Sequence, residues 1–157
     1  MKTFEGSPIA IAGARFCLVA SRFNALVVEA LVRGAEGALL SHGVSGADIT
    51  LVRVPGAWEI PWASRQVIEL LKPDAIIALG AVVRGSTPHF DYVAGEVAKG
   101  VSQISAASGV IATFGVLTTD TLEQALDRAG GKAGNKGADA ALAALELVSL
   151  RRALAAG

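Results

Sequence analysis

The sequence is poor in the residue types that most often announce chemistry. Its 157 residues include one cysteine, Cys17, and two histidines, His42 and His89. A lone thiol cannot close an intrachain disulfide. Set in the apolar run Arg15-Phe-Cys-Leu-Val-Ala20, it reads as a buried structural cysteine rather than a nucleophile. No His/Cys pair stands at metal-ligand spacing, and neither a Walker-type loop nor a GxGxxG fingerprint is present. Charge is scarce too: Asp, Glu, Lys and Arg make up 18% of the chain, with 14 basic residues against 14 acidic ones. Without net charge, and without a basic cluster interleaved with aromatics, nucleic acid is not an expected partner. The apolar stretch from Pro8 is interrupted by Arg15, so neither a signal peptide nor a membrane span is expected, and the cytoplasm fits.

Apolar residues are plentiful, at 52% of the chain. At this length a single domain over residues 1–157 is expected, with a loose segment at 1–13, burying roughly 68–70% of the surface its unfolded chain exposes. So much apolar surface with so little charge leaves more than one small domain hides, and oligomerisation would cover the remainder.

Strands alternate with helices along the chain. Ala14 to Ala20 reads as a strand, and Asn24 as the cap of a helix over Ala25–His42 whose Leu26, Ala30, Leu31, Ala35, Ala38 and Leu39 recur at helical spacing. Gly43 suits the left-handed position after it. Ile49–Val54 is a second strand, stopped by Pro55-Gly56, and Ala57 opens a helix to Leu71 in which Pro61 is tolerable only in the first turn. The uncharged, Ile-rich run from Asp74 to Leu79 predicts a buried third strand, and Pro88 to Ala107 a third helix. Val110–Leu117 is the fourth strand. Asp120 and Glu123 have capping-box spacing for a short helix ending at Arg128, and a final helix spans Ala138–Leu154. This order implies right-handed crossovers and a parallel sheet covered on both faces: an α/β, three-layer αβα fold around four strands.

In such sheets ligands bind beyond the carboxyl ends of the strands. The stretch Gly80-Ala-Val-Val-Arg-Gly-Ser-Thr-Pro-His89 reads as a strand-to-helix loop, with Thr87 and Pro88 suited to a helix start. It sets Arg84, Ser86, Thr87 and His89 around a helix N-terminus, where free N–H groups favour an anion. Histidine changes charge near neutral pH, so a phosphate cradle beside a proton carrier is the first hypothesis. Phe23 and Trp58 stand in the two preceding loops; flat rings there can sandwich a heterocycle, and edge-of-core packing is the alternative. Glu59 and Asn24 could bond ligand hydroxyls or ring N–H groups, or simply serve their helix ends. Arg128 and Lys136 flank a glycine-rich turn and could bind phosphate, against a solvated surface role.

Four blocks in order resemble the lumazine synthase family: Ser21-Arg-Phe-Asn24; Pro55-Gly-Ala-Trp-Glu-Ile-Pro61; Gly80 to Val93; and Phe114-Gly-Val-Leu-Thr-Thr-Asp120 leading to Arg128-Ala-Gly-Gly-Lys-Ala-Gly-Asn-Lys-Gly137. The likeness runs from Arg15 to Arg152. It implies a flavodoxin-like fold and a transferase that condenses 5-amino-6-(D-ribitylamino)uracil with 3,4-dihydroxy-2-butanone 4-phosphate, with no metal or cofactor. It implies that the pyrimidine stacks on Phe23, and that Ala57, Trp58 and Glu59 hold the ribityl chain and ring. Ala81, Val82 and Val83 would line the heterocycle pocket, Ser86 and Thr87 would take the phosphate, and His89 would carry protons. Phe114 and Arg128 match residues supplied by a neighbouring subunit, overriding periodicity, which places Phe114 in the core; Lys136 matches a basic residue near the phosphate. Trp58 stands where phenylalanine is frequent, and Ser21 where alanine is. The family forms pentamers, some of which build sixty-subunit icosahedral shells, and the compact turn at Gly130–Gly137 resembles that of shell-forming members. Riboflavin synthase is a further candidate partner.

Overall fold

The computed structural model describes residues 1–157. Strands β1 (Phe16–Ser21), β2 (Ile49–Val54), β3 (Ala75–Val83) and β4 (Ile111–Thr119) form one parallel sheet in the order β2-β1-β3-β4. The helices between them are α1 (Ala25–Ser41), α2 (Ile60–Leu71) and α3 (His89–Ser108). After β4 come α4 (Leu122–Arg128), a small hairpin of β5 (Ala129–Gly131) and β6 (Gly134–Asn135), and α5 (Lys136–Ala156).

The period of two along each strand divides the core in two. Phe16 and Leu18 of β1, with Ile77 and Leu79 of β3, pack on α1 and α5. Their neighbours Cys17, Val19, Ile76 and Ala78 pack on α2 and α3. Both central strands are therefore apolar at every position but Ser21, the last of β1, as a sheet covered on two faces requires. Each fully buried Leu or Ile contributes about 1.5–3 kcal/mol to that packing. On the first face α1 and α5 approach to backbone contact, because Gly137 lies where a Cβ would collide with the main chain of Leu31. On the second, Gly80 of β3 leaves room for Ile60, whose Cδ1 lies 3.3 Å from where a glycine Cβ would be.

Most elements follow the sequence expectations, including Pro61 in the first turn of α2 and the left-handed Gly43 (φ 95°) after α1. Several details differ, five of them with a visible local cause. Asn24 does not cap α1 with its side chain; it takes a left-handed conformation (φ 59°) and its Nδ2 donates to the Ala81 carbonyl across the sheet, at 2.8 Å. The third strand does not stop at Leu79 but pairs with β4 as far as Val83, so the connecting loop starts at Arg84 rather than Gly80. Helix α3 begins one residue later than expected, with Pro88 as its cap and no side-chain cap bond. Thr121 rather than Asp120 caps α4, its hydroxyl accepting from the Gln124 N–H at 3.1 Å, since Asp120 is engaged elsewhere. The last helix begins at Lys136, ahead of Ala138, because Asn135 Oδ1 accepts from the N–H groups of Gly137 and Ala138.

Candidate active site

The carboxyl ends of β1, β2 and β3 open onto a crevice of about 740 Å³, at the point where the chain leaves neighbouring strands for opposite faces of the sheet. The ladder between β1 and β2 continues past the strand ends: the Arg22 N–H donates to the Val54 carbonyl at 2.8 Å and the Phe23 N–H to that of Pro55 at 3.1 Å. Those bonds bring Phe23 and Trp58 to one crevice, with 72% and 56% of their surface exposed. Rings so poorly covered by their own chain are not core packing. Glu59 Oε2 accepts from the Gly56 N–H at 2.9 Å, which tightens the turn and leaves the other carboxylate oxygen to a ligand.

The floor is the end of β3, Ala81 to Val83, with Ala57 beside it. The far wall is the start of α3, with Thr87 and His89. At that helix start the Asp91 N–H donates to the Pro88 carbonyl at 3.1 Å. The amides of Ser86, Thr87, His89 and Phe90 stay free, so the backbone offers an anion several donors.

The crevice thus gathers Phe23, Ala57, Trp58, Glu59, Ala81, Val82, Val83, Thr87 and His89. Ser86 sits in the adjoining loop, outside the lining. Phe114 is not in the core of its strand; it is 43% exposed and lines a separate groove against Val101 and Ser105 of α3. Arg128, at the end of α4, donates to the Gln124 carbonyl at 3.1 Å, and Lys136 pairs with Asp139 at 2.8 Å. Within one subunit none of these three reaches the crevice.

Arg84 departs from the expected anion cradle. Its Nε donates to Asp120 at 2.9 Å, its Nη1 to Asp91 at 3.3 Å, and the guanidinium lies 4.3 Å from the centre of the Phe90 ring. The hydrogen bond to Asp120, with the charges of Asp91 and Asp120, raises its pKa above the ordinary arginine value. Its charge is thus paired with two carboxylates of its own chain.

Tyr92 also lines the crevice, 67% exposed, with Phe90 and Val93. Sequence reasoning passed over it, although its spacing of three from His89 puts both on one helix face. No group of three or more His, Cys, Asp or Glu side chains gathers where a metal ion could sit, and no helix is long and apolar enough to cross a membrane.

Comparison with known proteins agrees with this geometry. The profile of the 6,7-dimethyl-8-ribityllumazine synthase family matches residues 13–152. The chain belongs to that family. A relative named 6,7-dimethyl-8-ribityllumazine synthase, from Halorhodospira halophila (strain DSM 244 / SL1), is 53% identical over 156 residues, covering 99% of this chain and 100% of the relative. The matched span includes every element from β1 through α4 and most of α5, and so the whole crevice.

Proposed function

We propose that the protein makes 6,7-dimethyl-8-ribityllumazine in this crevice, by condensing 5-amino-6-(D-ribitylamino)uracil with 3,4-dihydroxy-2-butanone 4-phosphate and releasing phosphate and water. It is a transferase of riboflavin biosynthesis. The observation that carries the reading is the meeting of two exposed rings, a carboxylate, an imidazole and a set of free amides in one cavity of about 740 Å³, within the 300–1,000 Å³ usual for small-molecule sites.

The pyrimidine lies between Phe23 and Trp58, the ribityl hydroxyls bond Glu59, and the phosphate sits on the free amides beside Ser86 and Thr87. An amine and a ketone react without an exotic catalyst, so holding the two substrates in register supplies most of the acceleration. His89 moves protons during imine formation, phosphate loss and ring closure. The crevice is completed by an adjoining subunit, whose Phe114 closes over the heterocycle and whose Arg128, with Lys136 nearby, reaches the phosphate. That arrangement favours a pentamer, and the compact turn at 130–137 a sixty-subunit shell, in the cytoplasm, with riboflavin synthase as the next enzyme to receive the product.

Mixing the protein with both substrates and following lumazine absorbance tests the reaction: product is expected, and its absence overturns the reading. Analytical ultracentrifugation tests the assembly, where a mass that is not a multiple of five subunits would exclude it.

A further inference from the structure

We propose that Arg84 is a positioning residue, which clamps the first turn of α3, and His89 with it, to the end of β4. This rests on the reaction assigned above and adds a residue to its machinery. Helix α3 starts on Pro88 without a side-chain cap, although its first turn carries the proton carrier. A helix start without such a cap frays more readily. Arg84 replaces the missing restraint from outside the helix. Its own N–H donates to the Thr119 carbonyl at 2.8 Å, which fixes its main chain on β4. Its side chain then spans Asp120 beyond β4 and Asp91 within the first turn, and lies over the ring of Phe90, the residue next to His89. A planar fork with several donors can hold two carboxylates and a ring together, which a lysine cannot. Arg84 itself does not line the crevice. Exposed ion pairs add little to global stability, so the effect falls on geometry rather than on unfolding.

Arg84→Met, His89→Ala and the double variant are compared with wild type using both substrates. Arg84→Met is expected to lower kcat about 10- to 100-fold, as a misplacement of ~1 Å does. The KM for the pyrimidine should move by less than about threefold, and any rise in that for the butanone phosphate should accompany the fall in kcat, because the same turn carries the free amides of His89 and Phe90. In the His89→Ala background the same substitution should cost nothing further, since the clamp acts through the imidazole. An equal loss in both backgrounds overturns the proposal, as does a raised KM for the butanone phosphate at unchanged kcat, which makes Arg84 an anion ligand. Should Arg84→Met fail to fold, Asp120→Ala decides by the same measurements, because it removes the acceptor of one arm of the clamp and leaves every side chain of the crevice. Wild-type protein that forms no lumazine defeats only the functional reading. Amide hydrogen exchange over residues 85–93 then decides the clamp: faster exchange in Arg84→Met supports it, and unchanged exchange overturns it.

Discussion

Phe23 and Trp58 expose more than half their surface in a chain with few aromatic residues, and that cost in solvation is recovered only when a ligand covers them. Phe23→Ala or Trp58→Ala should therefore weaken the pyrimidine by about 1–3 kcal/mol, the usual worth of stacking a heterocycle on a ring. The KM for the butanone phosphate should stay put, and a change in it as large as that for the pyrimidine would remove the stacking role. Cys17 is the opposite kind of residue. Burial pushes its thiol pKa from 9.0 up to about 12, so between those values the folded state keeps a proton that the unfolded chain releases. Its contribution is intact below pH 9.0 and is lost as pH rises towards 12, at about 1.4 kcal/mol per pH unit. Urea unfolding of wild type and Cys17→Ala on both sides of pH 9.0 should show the difference between them shrink on the alkaline side. The burial of Cys17 was legible from its apolar run. The pairing of Arg84 was not, because Asp120 lies thirty-six residues away in sequence and only the β3–β4 register brings the two together.

Elements were easier to read than their ends. Apolar runs, helical spacing and the cap and stop residues between them located all four sheet strands and the five helices, since the runs and spacing report burial against a core that the chain itself forms. Boundaries failed where a tertiary partner outbid a local preference. Asn24 has the composition of a cap, yet the Ala81 carbonyl takes its amide and the backbone turns left-handed. Asn24→Ala should lose that hydrogen bond and keep a Cβ at positive φ without the polar side chain that makes asparagine tolerant of it, about 1–2 kcal/mol. Asn24→Gly loses the bond but removes the Cβ with it. Urea midpoints in the order wild type, Asn24→Gly, Asn24→Ala are expected, and a more stable alanine variant would show that the left-handed turn carries no strain. The β5–β6 hairpin escaped notice for another reason: its strands have three and two residues, too short for any period to register.

Across the whole molecule, Phe114 is exposed in a separate groove and Arg128 lies outside the crevice, where the proposed function has both serve a neighbouring subunit. A charge-assisted contact from Arg128 to phosphate is worth roughly 1.5–3 kcal/mol. Arg128→Ala should thus raise the KM for the butanone phosphate about 10- to 150-fold and leave that for the pyrimidine nearly unchanged. If the arginine serves a neighbour, mixed assemblies of His89→Ala and Arg128→Ala subunits should regain about a quarter of the wild-type sites, as statistics dictate for a head-to-tail interface. No recovery would return Arg128 to its own subunit. The part of the site built by one chain was legible because the sheet collects its loops at one edge; the proposed shared part rests on the four family blocks alone, since no periodicity within a chain encodes its neighbour. The ladder bonds that run on from β1 and β2 into Arg22 and Phe23 have one more consequence. They mount Phe23 on an extension of the sheet, so the place of that ring is set before any guest arrives, and a ligand that stacks on it meets a surface already laid.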